Sequence, residues 1–268
     1  MGPIMVGVDG SPGAAAAVAW AAGCAKAVGS ELILVGVTPV GHDVGDVEVL
    51  LEGEWAQPAS RIGTPYDAIA VAGDPRLAPA EVAAAQAADL VVVGLGQERW
   101  FPALHLGSTS HYLAHHLDRP LAVIPVGHST FSCTDIVVGL DGSVGAAGAA
   151  RWSADFAVEA GGKVTAVLAW TASARRVARL TAINTESDAE EACRGWAGLL
   201  DSSGVLLECR VAEGDPVAVI AACAEDVGAG LIALGTRGSG GFHDLRLGSV
   251  ALRLLQGACR PTILVPAP

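Results

Sequence analysis

The run Gly235-Thr236-Arg237-Gly238, followed nine residues later by Gly248-Ser249, carries the groups that an anion needs. Glycines let backbone come close to a phosphate and are expected here to adopt positive φ. The N–H groups of such a loop form a concave cradle for negative charge. Gly248-Ser249 is expected to open a helix whose first-turn amides and dipole favour an anion. The Ser249 hydroxyl adds a donor, and Arg237 and Arg246 add cations. Earlier in the chain, Val138-Gly139-Leu140-Asp141-Gly142-Ser143 offers the Asp141 carboxylate, an acceptor suited to ribose hydroxyls.

The same chemistry is written twice. Val6-Gly7-Val8-Asp9-Gly10-Ser11 returns at an offset of 132. Gly73-Asp74-Pro75, Gly107-Ser108 and Arg119-Pro120 return as Gly214-Asp215-Pro216, Gly248-Ser249 and Arg260-Pro261, at an offset of 141. The second copy therefore holds nine extra residues, between positions 171 and 213. The first-copy loop reads Gly94-Leu95-Gly96-Gln97-Glu98-Arg99-Trp100, so Gln97 stands where the second copy has Gly238. A side chain there occupies a place that backbone must approach, and Glu98 sets a negative charge beside it.

Both copies alternate short apolar runs with helical stretches, the pattern of a parallel α/β sheet. In the first copy, strands are expected at Ile4–Val8, Leu32–Val37, Asp67–Val71, Asp89–Val93 and Leu121–Val126. In the second they are expected near 136–140, 163–169, 205–211, 230–234 and 262–265. Ser11 and Pro12 supply an N-cap and an N1 proline for the first helix. Trp20 and Trp152, equivalent at the 132 offset, read as core anchors on the first helix of each copy. Ligands of such sheets bind at strand carboxyl ends, where strand order reverses. That is where the aspartate turns and the glycine loops fall.

The spacing G-x2-G-x9-G-S with an early V-G-(V/L)-D-G-S resembles the ATP-binding pattern of universal stress proteins, over nearly the whole chain and twice. The resemblance implies two tandem Rossmann-like (adenine nucleotide α-hydrolase-like) α/β domains, 1–127 and 135–268. Each would be a five-stranded parallel sheet with helices on both faces. It implies ATP, with or without Mg2+, as ligand. Asp141 would face the ribose, the Ala169 backbone the adenine, and Gly235, Arg237, Gly238, Gly248 and Ser249 the ribose and phosphates. The first-copy counterparts are Asp9, Val37, Gly94, Gly107 and Ser108. The Gln97 departure makes that first site a weak or empty one. The family further implies an intrachain pseudo-dimer, with a homodimer of chains open, and a nucleotide-dependent stress or growth regulator read by an unidentified protein partner. The competing reading is a non-nucleotide interaction scaffold.

Composition bounds these readings. A chain of 268 residues suits two small domains. A net charge of −12 argues against a nucleic-acid partner, and the one basic cluster, Arg175, Arg176 and Arg179, reads as a solvated face. Hydropathy is high, but the longest apolar stretch, Pro12–Val28, contains Lys26 and reads as a buried helix rather than a membrane span. No basic leader precedes the first strand, so a cytoplasmic location is expected. The six cysteines form no C-x-x-C pair and read as reduced thiols. His111 and His115 have helical metal-ligand spacing but lack a third ligand nearby, and His243 reads as loop packing. A P-loop, a nucleophile elbow and paired strand-end carboxylates are absent from the sequence. No catalytic residue is assigned, and slow ATP hydrolysis is the most activity expected.

Overall fold

The computed structural model describes residues 1–96, 107–132, 135–171, 183, 185–201, 203–238, 247–257 and 260–267. The chain divides into two compact units, Met1–Phe131 and Ser132–Pro268.

In the first unit, β1 (Ile4–Val8), α1 (Pro12–Val28), β2 (Leu32–Thr38), α2 (Val44–Glu52), α3 (Gln57–Ile62), β3 (Asp67–Ala72), α4 (Ala78–Ala85), β4 (Leu90–Gly94), α5 (Ser108–His116) and β5 (Leu121–Ile124) follow in order. The strands are parallel and lie in the order β3-β2-β1-β4-β5. The central strands are apolar along their length because helices cover both faces of the sheet. Ile4, Met5, Val6, Leu90, Val91 and Val92 are fully buried.

The second unit repeats the plan with β6 (Asp135–Gly139), α6 (Val144–Ala160), β7 (Lys163–Trp170), α7 (Glu186–Asp201), β8 (Leu206–Glu213), α8 (Pro216–Asp226), β9 (Leu231–Gly235), α9 (Ser249–Gly257) and β10 (Thr262–Val265). Its order is β8-β7-β6-β9-β10, again parallel. Both units are thus Rossmann-like α/β domains, as expected. Order reverses between β1 and β4, and between β6 and β9, so the switch-point crevice opens above those strand pairs. No strong sequence signal marks α3. It is only six residues long and has no side-chain N-cap.

The repeated motifs have local structural causes. Ser11 and Ser143 cap α1 and α6, each accepting from an amide three residues on at 3.1 Å. Both helices end at a left-handed glycine, Gly29 and Gly161. Arg119 donates to the carbonyls of Ala83 and Ala88, closing the carboxyl end of α4, and Arg260 donates to the equivalent Ala229. Asp215 caps α8 through the amides of Val217 and Ala218, and a two-pronged ion pair with Arg253 ties it to α9. Asp74 instead turns to its near neighbour Arg76, whose guanidinium hydrogen bonds hold its carboxyl down at about 2.

The long helices sit on the sheets through glycine. A Cβ on Gly94 would lie 2.1 Å from the Gly13 carbonyl carbon, and one on Gly235 would lie 2.4 Å from that of Gly145. In return, a Cβ on Gly13 would come within 2.6 Å of the Leu95 oxygen, and one on Gly145 within 2.3 Å of the Arg237 oxygen. Trp20 is fully buried and meets Phe131 edge-on at 5.2 Å. Trp152 departs from the expectation of a core anchor. It is half-buried and stacks on Phe156, which takes the buried place.

Gly145→Ala should cost about 1–3 kcal/mol, read as a lower urea midpoint, because α6 must move off β9 to admit the methyl. A second expectation concerns acid. The Arg253 hydrogen bonds, helped by the capped amides, hold the Asp215 carboxyl below its ordinary range. Its stabilising contribution is therefore present above the unfolded value, about 3.9, and is lost as pH falls through the folded one. Arg253→Gln should raise the Asp215 value in an NMR titration. The stability gap to the wild type should then stay constant at neutral pH and narrow only as pH falls through about 4 and below.

Candidate functional site

Each site begins with the turn after the first strand of its unit. Asp9 and Asp141 accept from the amides of Ser11 and Ser143 at 3.0 Å, an Asx turn that fixes the carboxylate at the mouth of the crevice. Gly10 and Gly142 make the turn in the left-handed region, with φ of 76° and 75°. Asp9 is exposed and Asp141 half-buried.

The second-unit loop is drawn onto this turn. The Ser143 hydroxyl donates to the Arg237 carbonyl at 3.3 Å. Gly238 lies against Asp141 so closely that an added Cβ would stand 2.6 Å from Oδ2. The Gly248 amide donates to the Thr236 carbonyl at 2.7 Å, and the Gly248 carbonyl starts α9 by accepting from Leu252. Two glycines separated by a nine-residue stretch are thus fastened to one strand end. Gly248 has no side chain with which to cap its helix, so it takes none of the first-turn amides that begin at Ser249. Arg237 is exposed at the rim.

One expectation about the glycines needs correction. Gly94, Gly107, Gly235, Gly238 and Gly248 do not adopt positive φ. Gly94 and Gly235 are required by the helix resting on them, and Gly238 by the Asp141 carboxylate. The left-handed glycines belong to the aspartate turns.

The β7 backbone completes the crevice. The Val167 carbonyl faces β6, where it accepts from Leu140, whereas the Trp170 carbonyl faces β8, accepting from Gly214. Backbone groups alternate sides along a strand, so the N–H and C=O of Ala169 face the β6 side. The last β6 residue, Gly139, pairs with Val167, so Ala169 lies beyond it. Val37 stands in the same relation to β1, with Val8 paired to Gly36 and the Thr38 carbonyl bonded to Gly73. Asp141, Ala169, Gly235, Arg237, Gly238, Gly248 and Ser249 therefore collect around one crevice.

In the first unit, Asp9, Val37, Gly94, Gly107 and Ser108 occupy equivalent positions, with Gly96 packed on Gly107 at 2.9 Å for an added Cβ. Gln97, Glu98 and Arg99 lie outside the described residues, as do His243, Arg246 and the cluster Arg175, Arg176 and Arg179. The His111 and His115 rings lie 4.6 Å apart, tilted by 37°, on α5, and among the described residues no group of three potential ligands surrounds a metal position.

Sequence reasoning puts Trp55 and Trp196 in the variable connections, as interface candidates or chance surface residues, and misses that they are an equivalent pair. Trp55 packs its indole on Gly10, and Trp196, on α7, packs on Gly142, where an added Cβ would meet the rings at 2.6 and 2.5 Å. The signal lies in the spacing, since positions 55 and 196 differ by the same 141 offset as the later motifs. The match also places all nine extra residues before Trp196.

Among the described residues, no helix is long and apolar enough to cross a membrane. The model of the universal stress protein family matches residues 1–125 and again 133–266. A universal stress protein of Archaeoglobus fulgidus DSM 4304 is similar in structure, with 18% identity, 99% of this chain and 98% of that chain covered, and a TM-score of 0.76. A functionally unknown protein of Pseudomonas aeruginosa PAO1 gives 17% identity, 99% and 92% coverage, and a TM-score of 0.70. A universal stress protein in complex with cAMP is similar over 51% of this chain, at 21% identity, 99% coverage of its own length and a TM-score of 0.40. With both halves matched by the family model on the fold and crevice described above, this chain belongs to the universal stress protein family, as a tandem two-domain member.

Proposed function

We propose that the chain is an adenine-nucleotide-binding regulator that holds ATP mainly in its second unit and works by binding rather than by turnover. The observation that carries this reading is the convergence of Gly238 on the Asp141 carboxylate while Gly248 is tied to Thr236. A sugar acceptor, a close-approach loop and a helix amino terminus then line one crevice. In this reading Asp141 takes ribose hydroxyls, the Ala169 backbone reads the adenine edge, and the Ser249 amide and hydroxyl meet phosphate with Arg237 at the rim. The exposed Asp9 and the Gln97 substitution support weaker binding in the first unit. A bound nucleotide regulates only through its differential affinity for two forms of the protein, and the form that binds ATP is the one a protein partner reads.

Calorimetric titration of the whole chain with ATP, with and without Mg2+, should give close to one ATP per chain. Gly238→Gln, which copies the first-unit loop into the second, should abolish that binding. Equal occupancy of both units, or no binding at all, would overturn the reading, and the second outcome would favour an interaction scaffold. Parallel titrations with AMP and cyclic AMP identify the preferred nucleotide. Hydrolysis faster than about 1 per second would make the protein an enzyme instead.

Asp141→Asn keeps the shape of the turn and removes the charged acceptor. It should weaken ATP binding by about tenfold to a hundredfold with little change in the urea midpoint. Asp9→Asn should leave the measured affinity unchanged.

A further inference from the structure

Away from the crevice, α7 and β8 bring two thiols together. Cys193 lies fully buried on the inner face of α7, with its sulfur 3.9 Å from the Arg210 carbonyl. Cys209, the residue before Arg210 on β8, is therefore the neighbouring thiol, close enough to bear on the ionisation of Cys193. Neither is in a disulfide, and Cys209 is only half-buried. It opens on a cleft of about 410 Å3 lined by Glu190, Arg194, Leu206 and Cys209 itself. The two thiols thus differ in access. One faces a cleft carrying a guanidinium, and the other is sealed behind it against the next residue of the same strand.

The geometry points to a redox-active dithiol in which Cys209 reacts with a peroxide entering the cleft and Cys193 closes the disulfide. The Cys209 thiolate attacks one peroxide oxygen and breaks the O–O bond. The sulfur becomes a sulfenic acid, and the departing oxygen takes a proton and leaves as an alcohol or water. Cys193 then gives up its proton and attacks the sulfenic sulfur, forming the S–S bond and releasing water. Two thiols are oxidised, one peroxide is reduced, and an external dithiol reductant reverses the change.

The division of labour follows from the surroundings. A thiolate near a guanidinium and open to solvent is the form that reacts, and Arg194 lines the Cys209 cleft. Burial pushes the Cys193 thiol well up from its ordinary value, with Cys209 adding to the shift. That keeps Cys193 protonated and protects it from oxidation alone, so that it gives up its proton only when it attacks the neighbouring sulfenic acid. Cys223 belongs to the opposite side of the sheet, on α8, and its thiol is also raised by burial. The proposal does not depend on nucleotide binding.

The test treats the whole reduced chain with a small excess of hydrogen peroxide, blocks free thiols with an alkylating reagent and maps the peptides by mass spectrometry. The expected result is a Cys193–Cys209 linked peptide, a fall in free thiols from six to four per chain, and full recovery with dithiothreitol. Cys209→Ser, at the less buried position, should abolish the link and leave Cys193 reduced. Cys193→Ser should trap Cys209 as a sulfenic acid that a dimedone probe captures. A link from Cys209 to Cys223, over-oxidation of Cys209 with Cys193 still free, or six surviving thiols would each overturn the proposal. Circular dichroism on both variants separates a lost link from a lost fold, and the wild-type peptide map decides the matter even if Cys193→Ser does not fold.

Discussion

Everything at the mouth of each crevice depends on two glycines that face each other where a helix meets a strand. Gly13 on Gly94, and Gly145 on Gly235, let α1 and α6 come down onto β4 and β9 at a separation that no Cβ permits. The aspartate turn is the lead-in to that helix, and the loop is the run-out from that strand. Their spacing is therefore set by the helix–strand contact rather than by any bond between them. The finer ties, from Ser143 to the Arg237 carbonyl and from Gly248 to Thr236, act on parts already brought within reach.

Most of this architecture is legible in the sequence because its causes are local. Apolar runs buried on both faces mark β1, β4, β6 and β9, and a serine before an alanine-rich stretch marks the start of α1. The duplicated motifs by themselves divide the chain into two units. What the sequence conceals is which partner each glycine serves. Gly94, Gly235 and Gly238 all read as freedom for an unusual backbone, yet they are places where another group lies too near for a methyl. A spacing pattern records that a side chain is forbidden and not what forbids it. The Trp152 expectation failed for a related reason. Equivalence in the repeat fixes a place on the helix, but Phe156, one turn later in a position where the first copy has Cys24, filled the buried space first.

The two units use the same motif differently. Gly-Asp-Pro caps α8 in the second unit and is braced by Arg253 from α9, whereas in the first unit the same aspartate folds back on Arg76. The position equivalent to Arg253 is Tyr112, which cannot supply a cation, so the brace has no first-unit counterpart. Among the described residues, α9 is thereby tied to the start of α8 by an ion pair that Tyr112 on α5 cannot make. Duplication kept the scaffold, and the bracing differs.

The tryptophan lying on each left-handed glycine bears on how the two copies can change. A methyl at Gly10 or Gly142 meets both a wrong φ and an indole ring, so the smallest substitution is penalised twice. Replacing the tryptophan relieves only the second penalty. The two positions are therefore epistatic: the effect of changing either depends on which residue holds the other. The pairing is present in both copies although the second has nine more residues between Gly142 and Trp196. Chain length in that connection thus differs between the two copies while the contact at its end is the same.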